Sequence, residues 1–167
     1  NGPAHPDLAP ATMTTRYEYG PRGSMPACTL WWHQGAAKPD VWKNDPLLSG
    51  WSSGVLFIGD KGMLISDYGK YKLLPEKDFA GFTPPPKSIP SSPGHHQQWL
   101  DAIVNGTPTD SPFDTYAGPL TIANHLGNVA YRAGKKIEWD AKSLQATNAP
   151  EASAFLSRKP REGWSLA

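Results

Sequence analysis

Cysteine is almost missing from this chain: Cys28 is the only one in 167 residues. No intramolecular disulfide can form, so the fold does not depend on an oxidising compartment. An excess of either charge is missing too, with 16 basic residues against 15 acidic and a net charge of +1. That removes the electrostatic case for a nucleic-acid partner or an anionic membrane surface. No apolar run approaches the roughly 20 residues that cross a bilayer. The chain opens on Asn1 with neither an initiator Met nor a signal-like segment. This predicts a fragment or a trimmed product, and a cytoplasmic setting unless an export signal lies upstream.

Several catalytic and binding motifs are lacking as well. There is no Gly-x-Gly-x-x-Gly between a strand and a helix and no GxxxxGK[ST]. The Gly59–Gly62 turn (GDKG) is followed by a strand pattern, so it reads as a hairpin turn and not as a phosphate cradle. No Gly-x-Ser-x-Gly nucleophile elbow occurs. His95 and His96 are adjacent and cannot share the i, i+4 geometry of a helical zinc site. His5, His33 and His125 lack acid or Cys partners at ligand spacing, so no metal site is expected. Asp101, Asp110 and Asp114 cluster around a turn, where Asp114 is placed to cap a helix and Asp101 to face outward. The chain carries no complete catalytic kit.

What is present is a folded composition of 38% hydrophobic residues, rich in Pro (18), Gly (16) and Trp (7). The length fits one domain over residues 1–167. Residues 1–10 read as an extended N-terminal segment, 11–74 as sheet hairpins, 75–94 as a Pro-rich connector, and 95–167 as helices, a last strand and a tail. Ala11–Tyr19 and Ala27–Gln34 form an antiparallel hairpin pattern around GPRGSMP. Gly54–Ile58 and Gly62–Ser66 form a second hairpin, and Tyr71–Leu74 is a short strand. Gly35–Ser53 reads as a long polar loop holding Trp42 and Trp51.

Two helices follow the connector. His95–Val104 begins after a Pro-Gly break, with Trp99, Leu100, Ile103 and Val104 along one side and two imidazoles in its first turn. Imidazoles there suit a ligand-facing corner and equally suit first-turn surface positions. Thr115–Ala133 has Pro119 in its first turn and Gly134 at its end. Its inner stripe is Leu120, Ala123, Leu126, Gly127 and Ala130. Lys136–Trp139 reads as a final strand and Ala149–Leu156 as a short helix.

One dipeptide carries a geometric consequence. Strand neighbours point to opposite faces, so Trp31 and Trp32 lie on opposite sides of one sheet. A large aromatic on each face calls for cover on both. Helices of this chain can supply one cover; the other calls for a second domain or subunit.

Four stretches in one order carry a resemblance: Gly54–Ile65 (GVLFIGDKGMLI), Ile89–Gly106 (IPSSPGHHQQWLDAIVNG), Tyr116–Trp139 (YAGPLTIANHLGNVAYRAGKKIEW) and Thr147–Leu166 (TNAPEASAFLSRKPREGWSL). The chain resembles the C-terminal half of bacterial glucose–fructose oxidoreductase and inositol dehydrogenase family proteins (Gfo/Idh/MocA). The resemblance implies an α+β fold, with an open, mostly antiparallel β-sheet and helices on one face. It implies a parent enzyme whose N-terminal Rossmann domain, absent from this sequence, holds NAD or NADP. Hydride transfer to or from a sugar, polyol or related carbonyl compound is the implied reaction, and the open sheet face the implied surface for a homo-oligomer. The family's Glu-Lys-Pro lysine and Asp/His proton-transfer motif lie upstream of this chain. No catalytic or cofactor-binding residue is therefore expected here, and the fragment alone is expected to be inactive. The substrate-pocket candidates are Arg16, Trp31, His33, His95 and His96. The alternatives are a non-catalytic carbohydrate-binding module, with Trp42 and Trp51 as stacking residues, and a pure dimerisation module.

Overall fold

The computed structural model describes residue 5 and residues 8–164. In chain order the elements begin with strands β1 (Met13–Tyr19) and β2 (Cys28–Gln34). Helices α1 (Asp40–Asn44) and α2 (Pro46–Ser49) come next, then strands β3 (Val55–Gly59), β4 (Gly62–Ser66) and β5 (Tyr71–Leu74). Helices α3 (His95–Asn105) and α4 (Gly118–Ala133) precede the two-residue strands β6 (Trp139–Asp140) and β7 (Gln145–Ala146). A 3-10 helical segment, Pro150–Phe155, follows. The class is α+β and every strand pairing among the named elements is antiparallel.

The strands do not merge into the one open sheet expected from the sequence. They form three separate sheets, β1-β2, β3-β4-β5 and β6-β7. The chain divides into two compact units: Lys38–Ser92 is one, and Asn1–Ala37 with Pro93–Ala167 is the other.

The unit Lys38–Ser92 is built on a cluster of Trp42, Leu48, Trp51, Ile65 and Leu74, with Leu56 and Met63 packed against it. Its segment before β3 is where the expectation of a polar loop fails. Asp45 accepts the Leu47 N–H at 2.8 Å and Pro46 follows as the first helical residue, a combination that starts a helix even four residues long. Helices this short have too few turns to show a period, and what fixes them is the burial of Trp42 in α1 and Leu48 in α2, with Trp51 just beyond. Trp42 Nε1 donates to the Trp51 carbonyl at 3.1 Å, and Lys38 Nζ donates to the same oxygen. Trp42 and Trp51 are each only 7% exposed. They are core residues, so the notion that they stack on sugars is withdrawn.

The second unit joins β1 and β2 to α3, α4 and the C-terminal elements. Gly127 of α4 explains how the helix meets the ribbon: a Cβ there would lie 2.5 Å from Tyr17 Oη and 3.2 Å from Thr15 Oγ1. Tyr17 reaches the same helix by donating to the Asn124 carbonyl at 3.3 Å, and burial against it pushes the phenol pKa up. On another side of α4, Val129 packs with Ala146, Ala149 and Ala152. Contacts on two sides explain why the expected stripe is only partly right. Gly127 is buried and Ala123, Leu126 and Ala130 are half-buried, but Leu120 is exposed and Val129 takes its place in the core.

The boundaries shift in ways the physics explains. A π-helical turn, Phe113–Ala117, precedes α4, and Asp114 lies within it without capping the helix. Both α3 and α4 end on left-handed glycines, Gly106 and Gly134, each at φ 67°. Asp101 and Asp110 accept hydrogen bonds from the Gln97 and Gln98 side chains. The expected final strand shrinks to Trp139–Asp140, paired with Gln145–Ala146.

Candidate functional site

The β1-β2 register sets the site. Thr14 faces His33, Arg16 faces Trp31 and Glu18 faces Thr29, so all six side chains share one face of the ribbon. Trp31 and His33 stack with ring centroids 6.5 Å apart and planes 20° apart. The Arg16 guanidinium lies 5.7 Å from the Trp31 ring centroid. His33 Nδ1 is 3.3 Å from Thr14 Oγ1, which holds the imidazole against the ribbon. Trp31 is 56% exposed, so the ring is an open platform and not a core side chain.

A charged network borders the platform. Arg16 pairs with Glu18, and Lys136 Nζ donates to Glu18 Oε2 at 2.6 Å. The Lys136 hydrogen bond, with the nearby Arg16 charge, holds the Glu18 carboxyl below its ordinary value. Glu18 is therefore an anion at neutral pH, pinned between two cations beside an exposed aromatic face.

Of the five residues singled out from the sequence, Arg16, Trp31 and His33 come together. His95 and His96 form a separate pair in the first turn of α3, with centroids 4.1 Å apart. Among the described residues no ring contact, hydrogen bond or ion pair joins that pair to the platform. Thr14, Glu18 and Lys136 were not among the candidates. Alternation along β1 would have placed Thr14 and Glu18 on the face of Arg16; nothing in the local sequence announces that Lys136 arrives beside Glu18.

Trp32 points to the opposite face and is 43% exposed. Both tryptophans thus stay in contact with solvent, where the sequence called for cover. Among the described residues no group of three or more His, Cys, Asp or Glu is placed to hold a metal ion. No described helix is long and apolar enough to cross a membrane. The Gly59–Gly62 turn does not fit a dinucleotide. It closes the β3-β4 hairpin, and a Cβ on Gly62 would lie 2.7 Å from the Leu74 carbonyl oxygen and 2.8 Å from Phe79 Cζ. The glycine is required by packing.

No known protein family, curated protein sequence or solved structure matches this chain. The chemistry of the site therefore has to be read from the platform itself. A flat indole face accepts the C–H face of a sugar or polyol, and Arg16, Glu18 and Thr14 at its border can donate to or accept from ring hydroxyls. An open aromatic face bordered by polar and charged groups is an arrangement suited to binding.

Proposed function

We propose that this chain is the substrate-binding and oligomerisation part of an NAD(P)-dependent oxidoreductase that acts on a sugar, polyol or related carbonyl compound. On this reading the nucleotide is held by an N-terminal Rossmann domain outside the sequence, and the reaction needs that domain. The observation that carries the proposal is the exposed Trp31 ring, stacked by His33 and bordered by Arg16 and Glu18. On this reading it is the surface that receives the polyol.

The outer face of the β3-β4-β5 sheet supports the need for a partner. Val55, Phe57 and Tyr71 lie exposed on it, with Leu64 and Leu73 between them.

A second reading, a carbohydrate-binding module with no catalytic partner, draws on the same platform, because stacking on Trp31 needs no nucleotide. The experiment that separates the two is a fluorescence titration with NADH and NADPH. It uses the complete product of the gene alongside the present chain. The oxidoreductase reading expects saturable binding by the complete product and none by the chain alone. Saturable binding by the chain alone overturns it, and binding by neither leaves the carbohydrate-binding module.

A further inference from the structure

We infer that two copies of this chain join through the free edge of β3, pairing antiparallel about Phe57 into a six-stranded sheet. The inference goes beyond the proposed function, since the pairing needs neither nucleotide nor sugar. It uses the rim of the β3-β4-β5 sheet and not its outer face.

The two rims of that sheet are built differently. The order β3-β4-β5 leaves β3 and β5 at the edges. β5 carries the devices that keep an edge from pairing. It is four residues long, and Pro75 follows at once. Its Lys72 stands opposite buried Ile65, on the core side of the sheet, in an ion pair with Glu76 at 3.0 Å. β3 (VLFIG) carries none of these devices. It has no charge and no Pro, and its unbroken one-to-one register with β4 leaves no bulge. Such an edge is a template for another strand.

The register fixes which groups β3 offers. Only Asp60 and Lys61 join β3 to β4, so Gly59 and Gly62 exchange hydrogen bonds. Alternation then turns the N–H and C=O of Val55 and Phe57 toward β4, and those of Leu56 and Ile58 outward. Among the described residues no backbone group pairs with Leu56 or Ile58 on that outer edge.

A second copy fits this pattern because the strand is complementary to itself. About a two-fold axis at Phe57, Leu56 of each copy meets Ile58 of the other as a hydrogen-bonded pair, which makes four backbone bonds. Phe57 meets Phe57 in the intervening non-bonded pair, a position that suits aromatic side chains. This register overlaps all five residues of β3. Ile58 is 69% exposed although it shares the core side of the sheet with Leu56. In the pairing it lies beside Leu56 of the other copy, which packs on that copy's core. The nearest charges, Asp60 and Lys61, come alongside Gly54 and Ser53 of the other copy, so no like charges meet. Both rims of the joined sheet are then β5, the protected edge, and assembly stops at two copies.

The test is sedimentation velocity of the full chain from about 10 µM to about 1 mM, the range in which so short an interface is expected to fill. Amide hydrogen exchange is read at both ends of that range. Monomer should give way to dimer, with slower exchange at Leu56 and Ile58 and no change at Phe57, which is already bonded to β4. Ile58→Lys puts a charge on the paired edge and should weaken association about tenfold or more. Tyr71→Asp, on the outer face and at the opposite rim, should leave association unchanged. In a Cys28→Ser background, oxidised Phe57→Cys should form an interchain disulfide, because the Cα atoms of a non-bonded pair lie about 4.5 Å apart. Val55→Cys should not, since its two copies fall about 14 Å apart along the paired strands. A chain that stays monomeric at about 1 mM overturns the inference. Association that Tyr71→Asp abolishes and Ile58→Lys leaves intact also overturns it, in favour of the outer face. Equal disulfide yields from Phe57→Cys and Val55→Cys overturn it as well.

Discussion

The contrast between Trp42 and Trp31 allows a quantitative test of which tryptophans build the fold and which face a ligand. Trp42 is 7% exposed and its indole N–H donates to the Trp51 carbonyl at 3.1 Å. Truncating it to alanine removes nearly a full aromatic side chain from a packed cluster and leaves a cavity beside Leu48, Ile65 and Leu74. Substitutions of that kind cost about 3–5 kcal/mol. The Trp51 carbonyl keeps its bond from Lys38 Nζ, so no large extra penalty for an unsatisfied acceptor is added. Trp31 is 56% exposed. Less than half of its surface is removed from water, and at about 25 cal/mol per Å² its truncation should cost at most about 2 kcal/mol. Urea unfolding of both variants, followed through the methyl NMR signals of Leu48, Ile65 and Leu74, reports the core loss for Trp42→Ala. The amide signals of β1 and β2 report it for Trp31→Ala. A loss below about 1 kcal/mol for Trp42→Ala, or a larger loss for Trp31→Ala than for Trp42→Ala, would refute the assignment of roles.

Further expectations follow from single contacts. Glu18 titrates below the ordinary glutamate range because of Lys136 and Arg16. Its contribution is therefore complete above the unfolded-state pKa of about 4.3 and is lost as pH falls through the lower folded value. A side-chain carboxyl NMR titration checks this, and a Glu18 midpoint at or above that of an unfolded glutamate contradicts it. Gly62→Ala should destabilise the β3-β4-β5 sheet by about 1–3 kcal/mol, since the new methyl meets the Leu74 backbone carbonyl and the Phe79 ring at a positive φ. Urea unfolding without a shift in midpoint would contradict that. Phe57→Asp should shift a self-associating chain toward monomer in sedimentation velocity. A wild-type chain that sediments only as monomer would remove the outer sheet face as a subunit interface.

Much of the fold was legible where a single local rule governs it. The β3-β4 hairpin follows from two apolar runs around GDKG, and the ends of α3 and α4 follow from Gly106 and Gly134. Strand parity alone put Trp31 and Trp32 on opposite faces. The segment Asp40–Ser49 was misjudged because its two helices span only five and four residues, too few for a period, and are held by tryptophans buried from a distance. The candidate site was half legible. Arg16, Trp31 and His33 converge because one register pairs them, whereas Lys136 joins Glu18 across more than a hundred residues.

The most direct check on the role given to the platform is steady-state kinetics of the complete gene product, wild type against Trp31→Ala. NADH or NADPH oxidation is followed with a panel of sugar carbonyl substrates. The account predicts nicotinamide-dependent turnover whose KM for the carbonyl compound rises about tenfold in the variant while nucleotide affinity is unchanged. Turnover indifferent to Trp31, or no nucleotide-dependent turnover with any member of the panel, would contradict it.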